Sequence, residues 1–321
     1  MDASILWELS LYELALAVFV VLLLTCLLLK LLLPTRRVGD YHTKYVLITG
    51  CDSGFGRDLA IRLDGMGFHV FGACLTQQGI QELEQTCSKR TVGLLMDVTN
   101  HLQIVQAFER VKKALPPGIG LWALANNAGY GACAPIEWYP LSHYKRMADV
   151  NLWGVVDVSK TFLPLVKMAR GRVVNISSIY GFFSPIFGSH YAITKYGVEA
   201  FSDSMRREMA RWGVRVSLIE PAAFRTLLWT KIAADLTRLW EALSQDLKDE
   251  YGGELTLNKQ IQKLKSINEQ ASPHLYKVVD ALVDAITSRD PKPRYLVGFQ
   301  AKLLGLISLL PTSWADAIIE R

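Results

Sequence analysis

The stretch Lys44-Tyr-Val-Leu-Ile-Thr-Gly-Cys-Asp-Ser-Gly-Phe-Gly56 joins a short apolar run to a turn that contains three glycines. The run at residues 44–49 has the β-branched content and the length of a buried strand. Residues 57–66, which follow the turn, carry apolar side chains at helical spacing. The stretch therefore predicts a strand, a tight turn and a helix in succession.

The same order of elements recurs along the rest of the chain. Further strands are predicted at residues 68–74, 91–97, 121–125, 171–176, 214–220 and 294–297, and helices at residues 79–87, 104–115, 144–169, 191–212 and 276–287. Strands that alternate with helices form a parallel sheet covered on both faces. The sequence therefore predicts an α/β fold, a doubly wound parallel sheet of the Rossmann type.

The segment at residues 226–268 breaks this alternation. It is helical in pattern, rich in Leu, Trp, Lys and Glu, and contains no predicted strand. We expect it to form a helical substrate cap at about residues 226–270, outside the sheet.

The N-terminal run at residues 14–33 contains one charged residue, Lys30, and has the length of about 20 residues that a membrane-spanning helix needs. No Lys or Arg precedes this run, whereas Arg36, Arg37 and Lys44 follow it. The positive-inside rule then places the main domain in the cytosol. The predicted organisation is an N-terminal transmembrane anchor at residues 1–38 and a single domain at residues 39–321.

The charge and the cysteines of the chain argue against two kinds of site. The formal net charge of +5 is spread along the 321 residues without a basic patch, so we expect no nucleic-acid partner. The five cysteines include no CxxC pair, and we expect neither a metal site nor a disulfide scaffold.

The glycine turn has the features of a phosphate-binding loop. Glycines let the backbone approach a pyrophosphate, whose charge is stabilised by the amino end of the following helix. An ordinary tight turn is the alternative, but the position between a first strand and a first helix favours dinucleotide binding. The cofactor contacts predicted in this turn are Gly50, Asp52, Ser53, Gly54, Phe55 and Gly56.

Two later strand ends carry further candidates for cofactor binding. Asp97 ends the third strand, where its carboxylate could accept a hydrogen bond from an adenine amino group or cap the next helix. Asn126-Asn-Ala-Gly129 ends the fourth strand, at the crevice where ligands bind in open α/β sheets. Its asparagines could also tie loops together. We predict that Asn127, Ala128 and Gly129 contact the cofactor.

Tyr191 and Lys195 are four residues apart in a predicted helix, so both side chains lie on one face. An ammonium beside a phenol favours the phenolate, and the pair can then act as a general base near neutral pH. Ser178 lies thirteen residues before Tyr191, at a strand end where its hydroxyl could meet the phenol. Because Ser177 alternates to the opposite side of the strand, we expect only one of the two serines to face the site.

Six motifs occur in a fixed order along the chain. The first three are TGxxxGxG at residues 49–56, DVT beginning at Asp97 and NNAG at residues 126–129. They are followed by VNLxG around Asn151, a strand-end serine at Ser178 and YxxxK at Tyr191 and Lys195. In this combination the sequence resembles the short-chain dehydrogenases and reductases, from about residue 44 to residue 226. Lys195-Tyr-Gly-Val-Glu-Ala-Phe-Ser202 and Leu310-Pro-Thr-Ser-Trp-Ala-Asp316 are similar to the membrane-anchored retinol and hydroxysteroid dehydrogenases of that family.

The resemblance implies a role for each residue of the site. Tyr191 would be the base or acid for the substrate oxygen, and Lys195 would lower its pKa and bind the nicotinamide ribose. Ser178 would hydrogen-bond the reacting oxygen, and Asn151 would order a water that relays the proton. Thr226 would contact the cofactor, and hydride would pass between the carbinol carbon and the nicotinamide. The resemblance also implies the endoplasmic reticulum or another intracellular membrane as the location, and a homo-oligomer paired through two long helices.

The choice of cofactor is a matter of charge. Proteins that bind NADP usually carry a basic residue in the glycine turn or after the second strand, where it meets the 2′-phosphate. Here the turn contains Asp52-Ser53, and Leu75-Thr-Gln-Gln-Gly79 follows the strand. The acidic residue of a typical NAD site is also missing after that strand. The balance favours NAD over NADP.

The predicted substrate is apolar, a retinoid or a steroid. Large apolar side chains occupy the loops that we expect to flank the crevice, namely Trp138, Trp153, Phe182, Phe183, Ile186, Phe187, Leu227, Leu228 and Trp229. The family usually has Pro-Gly after the sixth strand, whereas this chain has Pro221-Ala-Ala, which adds a methyl group near the expected nicotinamide. The predicted function is NAD-dependent oxidation of an apolar alcohol; a steroid epimerase and a non-catalytic lipid-binding scaffold are the alternatives.

Overall fold

The computed structural model describes residues 3–32, 36–226 and 228–319. Leu33 and Leu227, which belong to the predicted span and to the predicted substrate-binding residues, lie outside the described residues. The chain divides into two units, one formed by Met1–Val38 with Ser288–Asp290 and the other by Gly39–Thr287 with Pro291–Arg321.

The first unit contains helix α1 (Ala3–Leu32) and a short antiparallel bridge between Arg37 and Ser288. Arg289 extends this bridge, because its backbone amide donates to the Arg36 carbonyl at 2.8 Å. Within the described parts of the chain, no helix combines the length and the hydropathy that crossing a membrane requires. The predicted membrane span at residues 14–33 is therefore not supported by the structure, although the segment is helical as expected.

The second unit is built on one seven-stranded parallel sheet. Its strands are β1 (Tyr45–Thr49), β2 (His69–Cys74), β3 (Thr91–Leu95), β4 (Ala123–Asn126), β5 (Arg172–Ile176), β6 (Arg215–Pro221) and β7 (Arg294–Val297). Their order across the sheet is β3-β2-β1-β4-β5-β6-β7. This order confirms the predicted Rossmann-type α/β fold, including the last strand at residues 294–297.

Helices cover both faces of the sheet. The helices of this unit are α2 (Gly54–Gly65), α3 (Gln77–Thr86), α4 (His101–Ala114), α5 (Leu141–Ala148), α6 (Gly154–Met168), α7 (Ser189–Met209), α8 (Leu228–Glu241), α9 (Gln245–Glu250), α10 (Glu254–Gln270), α11 (Tyr276–Thr287), α12 (Phe299–Ile307) and α13 (Thr312–Ile319). Buried side chains of α2, α3 and α11 pack on one face of the sheet, and those of α4, α6 and α7 on the other. Burial on both faces explains why the strands are almost continuously apolar.

The helix predicted at residues 144–169 is interrupted in the structure. A π-helical turn, Asp149–Trp153, joins α5 to α6. Asn151 lies in this turn, fully buried, and its side chain bonds to both backbone groups of Tyr130. Single π-helical turns inside α-helices occur frequently at functional sites. The apolar pattern that predicted one long helix does not reveal such a local change.

The predicted cap is present as three helices, α8, α9 and α10, and none of its residues joins the sheet. Buried residues of α8 and α10 form an apolar cluster with Trp138 and Tyr139. Tyr191, at the start of α7, packs against the same cluster. The cap therefore lies beside the residue that the sequence singled out for chemistry.

The sheet has a topological switch point between β1 and β4. From β1 the chain adds β2 and β3 on one side, and it then adds β4 to β7 on the other side of β1. In open parallel sheets ligands bind at this switch point, outside the carboxyl ends of the strands. The glycine turn, the Asn126–Gly129 motif and Ser178 all follow carboxyl ends along this edge.

Candidate active site

The glycines of the turn after β1 are required by close contacts and by backbone conformation. Gly50 has a φ of +71°, and a Cβ atom there would lie 2.8 Å from the Ala128 Cα. A Cβ atom at Gly56 would lie 2.3 Å from Asn127 Nδ2 and 2.4 Å from the Gly50 carbonyl oxygen. Both distances are shorter than real Cβ contacts, so any larger residue would push the turn away from residues 126–129.

Hydrogen bonds lock the glycine turn to the end of β4. The Asn127 side-chain amide donates to the carbonyl oxygens of Thr49 at 2.8 Å and Gly50 at 2.9 Å. The Thr49 hydroxyl accepts from the backbone amides of Asn127 and Ala128 at 3.0 and 2.9 Å. Asn127 thus supports the turn with its side chain, which is the loop-tying role that the sequence left open.

The amino end of α2 is open to a phosphate. Ser53 is the N-cap residue, but its side chain makes no capping hydrogen bond. A Cβ atom at Gly54, whose φ is +62°, would meet no atom within 4 Å. The first amides of α2 therefore face free space beside a backbone without side chains, which is the arrangement that binds a pyrophosphate. These residues fit a dinucleotide cofactor.

Asp52 points from the glycine turn to the end of β2. Its carboxylate accepts from the backbone amides of Leu75 at 2.8 Å and Thr76 at 3.0 Å, and from the Thr76 hydroxyl at 2.7 Å. An acidic side chain therefore stands at the end of β2, although the sequence of the β2 loop contains none. The linear sequence could not show this, because the carboxylate comes from 23 residues earlier.

Three further predicted cofactor residues lie around this edge. One oxygen of Asp97 accepts from the amide and the hydroxyl of Thr99, while Asn100 caps α4, so Asp97 is not the cap of that helix. Phe55 is half-buried and packs edge-on against Phe224 at 6.0 Å. Thr226 is half-buried between β6 and α8.

Ser178 and Tyr191 meet as the sequence predicted. Ser178 follows β5 in an extended conformation, and its hydroxyl lies close enough to the Tyr191 phenol to lower the pKa of that phenol. Ser177 is buried, and its Oγ is close to Gly181, where a Cβ atom would lie 2.6 Å away. Only one of the two serines therefore faces the phenol, as the alternation of a strand requires.

The Tyr191 phenol is less acidic than the sequence led us to expect. Burial raises the pKa of Tyr191 to about 12, and the hydrogen bond with Ser178 acts in the opposite direction. Proximity to Lys195 had predicted a lowered pKa. The difference has a geometric reason, since the Lys195 ammonium lies 5.5 Å from the centre of the Tyr191 ring and donates to the Ile176 carbonyl at 2.9 Å.

Lys195 is buried on the same face of α7 as Tyr191, which confirms the predicted pairing of the two side chains on one helix face. Burial lowers the pKa of Lys195 to about 8, and the nearby charge of Glu199 opposes this change. Burial thus moves both groups toward their neutral forms. Perturbed titration of this kind, in a crevice beside a fitted cofactor loop, is typical of catalytic sites.

Asn151 is bonded to the protein through both ends of its amide. Its oxygen accepts from the Tyr130 amide at 3.0 Å, and its Nδ2 donates to the Tyr130 carbonyl at 2.8 Å and to Thr194 Oγ1 at 3.3 Å. Both amide hydrogens are in use, so any water would have to bind the oxygen. Asn151 also sets the shape of residues 129–130, because a Cβ atom at Gly129 would lie 3.0 Å from its oxygen.

The extra methyl group of Ala222 is accommodated by a glycine on the next strand. The Ala222 amide donates to the Val297 carbonyl at 3.0 Å. A Cβ atom at Gly298, which has a φ of +103°, would lie 3.2 Å from the Ala222 Cβ. The methyl group therefore faces the end of β7, in a space that a glycine leaves open.

The residues predicted to bind substrate separate into groups. Trp138, Leu228 and Trp229 belong to the cap cluster with Tyr191. Trp153 and Ile186 are 57% and 59% exposed and lie outside that cluster. Phe182 lines a different cavity, at the β7 edge of the sheet. The sequence therefore predicted too many substrate-binding residues. Residues near the site in sequence were all included, but successive loop residues point in different directions.

Two aromatic neighbours of Tyr191 were not assigned to the site from the sequence. The Tyr180 ring packs edge-on against Tyr191, with 5.4 Å between the ring centres. His190 is buried against the Tyr139 ring at 4.2 Å, and neither of its ring nitrogens has a hydrogen-bond partner among the described residues. Burial lowers the pKa of His190 to about 4, so it is neutral at physiological pH. Its contacts with the rings of Tyr139 and Tyr144 give His190 a packing role.

Sequence comparisons agree with the geometry. The family model for short chain dehydrogenases matches residues 44–237. Retinol dehydrogenase 7 from Mus musculus is 41% identical over 295 residues, which are 91% of this chain and 92% of that protein. Short-chain dehydrogenase/reductase family 9C member 7 from Homo sapiens is 42% identical over 288 residues, 88% of this chain and 91% of that protein.

Solved structures share the fold. A short chain dehydrogenase/reductase from Burkholderia phymatum in complex with NAD has a TM-score of 0.70 at 21% identity, over 88% of this chain and 97% of that one. A short chain dehydrogenase from Burkholderia cenocepacia in complex with NADP has a TM-score of 0.66 at 18% identity, over 87% and 98%. At these identities the likeness shows the fold alone.

Proposed function

Because the chain belongs to the short-chain dehydrogenase/reductase family and is an oxidoreductase close to retinol dehydrogenases, we propose that it interconverts an apolar alcohol and its carbonyl compound with NAD. The observation that carries this proposal is the meeting of the Tyr191 phenol with the Ser178 hydroxyl and with buried Lys195, whose ammonium is 5.5 Å from the Tyr191 ring centre, at the sheet edge that also holds the glycine turn.

In this proposal Tyr191 takes the hydroxyl proton during oxidation and returns it during reduction. Ser178 holds the reacting oxygen, since its hydroxyl already lies within hydrogen-bond reach of the phenol. Lys195 supplies positive charge near the phenol and a donor for the cofactor ribose. Its ammonium has three hydrogens, and one of them is used by Ile176.

NAD, when bound, supplies the hydride acceptor. Residues 50–56 would hold its pyrophosphate on the amino end of α2, with Asn127, Ala128 and Gly129 beside it and Asp97 near the adenine. Thr226 would lie at the nicotinamide end. The unused oxygen of Asp97 has no hydrogen-bond partner among the described residues, which leaves it available as an acceptor.

Asp52 supports NAD over NADP. Its carboxylate stands at the end of β2, where a 2′-phosphate would have to bind, and two negative charges there repel each other. The guanidinium of Arg57, on the first turn of α2, is held by Glu82 at 2.7 Å and is not free to meet a phosphate.

The apolar character of the substrate is supported by the cap. Trp138, Trp240 and Tyr251 pack ring against ring beside Tyr191, with ring centres 5.0 and 5.4 Å from Trp138. Retinol dehydrogenases are among the relatives at 41–42% identity. We take retinoids and hydroxysteroids as the substrate class.

Membrane association through α1 also belongs to this proposal. Its described side chains between Leu11 and Leu24 are exposed and mostly apolar, including Leu16, Phe19 and Leu22. Contact of this helix with lipid would bring the enzyme to substrates that dissolve in membranes. Extraction of the full chain from membranes at high pH, compared with a chain carrying Phe19→Ser and Leu22→Ser, measures this contribution.

The decisive experiment measures NADH formation by fluorescence from the full chain with NAD or NADP and a panel of retinols, hydroxysteroids and short alcohols. The Tyr191→Phe variant keeps the ring and loses the phenol oxygen, and we expect its rate to fall by about 10²–10⁴-fold. Silence of the unmodified chain across the panel, together with measurable NADH binding, would favour the non-catalytic scaffold.

A second experiment tests the cofactor assignment. Asp52→Asn keeps an oxygen acceptor for the amides of residues 75 and 76 but removes the charge, so the ratio of kcat/KM for NADP to that for NAD should rise by about tenfold. Asp280→Asn, at an exposed position that faces Arg62 at 3.7 Å, removes the same charge elsewhere and should leave the ratio unchanged. Equal ratios in Asp52→Asn and the unmodified chain would contradict the role of Asp52.

A further inference from the structure

A cavity of about 1000 Å³ opens at the β7 edge of the sheet. It is lined by β7, α11, α12 and the residues that follow Ser178, and we call it the edge groove. Its walls include the apolar side chains of Phe182, Leu296, Phe299 and Leu309. None of Ser178, Tyr191 and Lys195 lines it, so it is separate from the candidate active site.

The floor of the edge groove is a cluster of ionic side chains that are paired with one another. Arg294 is bonded to the carboxylates of Glu199 and Glu220, and its second nitrogen is 3.0 Å from Asp203. The Glu199 and Glu220 side chains are only 9% and 1% exposed. Asp203 is also paired with Arg206 at 3.1 Å and Arg207 at 3.9 Å, so three guanidinium groups balance the three carboxylates of the cluster.

Three lysines, Lys277, Lys292 and Lys302, line the same groove. All three are exposed, and none forms an ion pair with any residue in the described part of the chain. They come from α11, from the loop before β7 and from α12, so three separate elements bring them to one opening. The mouth of the groove therefore carries three ammonium groups that form no ion pair within the described residues.

The helices next to this opening expose apolar side chains along one face. On α12, Phe299, Leu303 and Leu306 follow helical spacing and are 80%, 45% and 66% exposed. Ala301, on the other side of α12, is fully buried against the fold. α12 thus has an exposed apolar stripe in addition to the apolar side that it buries against the fold. Amphipathic surface helices normally direct their apolar stripe toward the core.

The apolar surface continues onto the next helix. Leu309 is 80% exposed, and on α13 Trp314 and Ile318, four residues apart, are 65% and 51% exposed. Large apolar side chains that stay exposed on two successive helices, beside charged residues, mark a surface that contacts a membrane or another molecule. Its extent along two helices exceeds what a small molecule in the groove would cover.

We infer that the edge groove and the exposed stripes of α12 and α13 dock onto a membrane surface that contains anionic lipids. The three lysines would contact the phosphates and carboxylates of the head groups, and the apolar stripes would enter the boundary of the acyl chains. Short helices with Trp, Phe and Leu on one side and Lys beside them bind membrane interfaces in this way.

Charge decides between this occupant and a second copy of the chain. A symmetric dimer would place the same patch against itself, and the lysine rim of one copy would then face the lysine rim of the other. A surface of anionic lipid head groups presents the opposite charge to all three lysines. Charge complementarity therefore favours lipid.

Hydrogen exchange of the full chain, reconstituted in nanodiscs and resolved by peptide, tests the inference without interference from α1. Discs of neutral phosphatidylcholine are compared with discs that contain phosphatidylserine. We expect amides of residues 299–319 to exchange at least about tenfold more slowly in the anionic discs, since each of the three lysines near an anionic surface adds about fivefold in binding. The triple variant Lys277→Gln, Lys292→Gln, Lys302→Gln should lose this difference.

A matched control removes three exposed lysines elsewhere, with Lys89→Gln, Lys113→Gln and Lys265→Gln, and should keep the slower exchange. A second variant, Leu303→Ser with Leu306→Ser, keeps all the lysines and should also lose protection. Equal exchange in neutral and anionic discs would overturn the inference. Protection that depends on protein concentration in detergent, and not on lipid charge, would also overturn it and would identify a second copy as the occupant.

Discussion

Two buried clusters of ionisable side chains lie one turn apart on α7, and they differ in how their charges are balanced. In the first cluster, the Lys195 ammonium bonds to a carbonyl oxygen, and burial lowers its pKa to about 8. Tyr191 in the same cluster has its pKa raised to about 12 by burial. In the second cluster, Glu199 and Glu220 are bonded directly to the Arg294 guanidinium.

The difference separates a site for chemistry from a structural contact. A buried charge that has no bonded counter-charge costs stability but stays available to a substrate or cofactor. A buried carboxylate bonded to a guanidinium has its charge compensated within the protein and contributes to the fold. Removal of a cation should therefore have opposite consequences in the two clusters, and each variant below tests one side of that contrast.

The largest expected effect is on activity, in Lys195→Met. We expect kcat/KM to fall by on the order of 10²-fold or more, since a charged donor at the site is lost. The free energy of unfolding at pH 7 should stay the same or rise by about 1 kcal/mol, because a buried charge is replaced by an apolar chain of similar volume. NADH formation and urea unfolding measure the two quantities. Loss of stability together with activity would make Lys195 a structural residue.

Arg294→Met should show the reverse, with its main effect on stability. Two buried carboxylates lose their bonded cation, and we expect the free energy of unfolding to fall by about 3 kcal/mol, at the lower end of the range because Arg294 is 40% exposed. Urea unfolding measures this loss. Arg238→Met, at an exposed ion pair with Asp235 of 3.3 Å, is the control and should cost less than about 1 kcal/mol. Equal losses of unfolding free energy in Arg294→Met and in the control variant would contradict the structural role of Arg294.

Titration of Lys195 predicts how stability depends on alkaline pH. Its pKa is lowered to about 8 in the folded chain from 10.5, so the unfolded chain binds more protons between these values. The contribution of this group to stability should therefore rise by about 3 kcal/mol from pH 8 to pH 10.5. Urea midpoints of the wild type and Lys195→Met across this window check the prediction. Parallel curves would contradict it.

Glu220 predicts the opposite slope at acidic pH. Burial, together with the charge of Glu199, raises the pKa of Glu220 to about 7 from 4.5. The stability that the protonated form contributes is complete below pH 4.5 and is lost as the pH rises through 7. Glu220→Gln should therefore flatten the fall in stability between pH 4.5 and 7, measured by urea midpoints. An unchanged slope in this variant would show that Glu220 does not carry the effect.

The smallest expected effect concerns Tyr180, whose ring fixes the Tyr191 ring from the side. Tyr180→Ala removes an aromatic contact worth about 1 kcal/mol and should lower kcat/KM by about fivefold. Tyr180→Phe keeps the ring and should stay within about twofold of the wild type. Comparable losses in both variants would assign the effect to the hydroxyl group instead. Steady-state kinetics with NAD as the varied substrate, and then the alcohol, separates binding from positioning.

Local sequence signals predicted the elements of the sheet and the position of the glycine turn. Short apolar runs, glycines and helical spacing act over a few residues, and all seven strands lie within a few residues of their predicted positions. The same signals missed the π-helical turn around Asn151, because it depends on hydrogen bonds with Tyr130, which lies 21 residues earlier.

Electrostatics at the site could be predicted only in part. The spacing of Tyr191 and Lys195 correctly placed both side chains on one face of α7. The direction of the Tyr191 pKa was wrong, because burial by the cap and the contact of Lys195 with Ile176 depend on residues distant in sequence. Charges near each other in a helix do not determine how much water surrounds them.

The sequence by itself determined the fold class, the order of the motifs and the pairing of Ser178 with Tyr191, because periodicity and backbone restrictions act over short stretches of chain. Only the tertiary structure decided that Asp52 reaches the end of β2, that Gly298 makes room for Ala222, and that three lysines gather at the β7 edge. Each of these depends on strands and helices brought together across the sheet, and such distances are not encoded in any short segment.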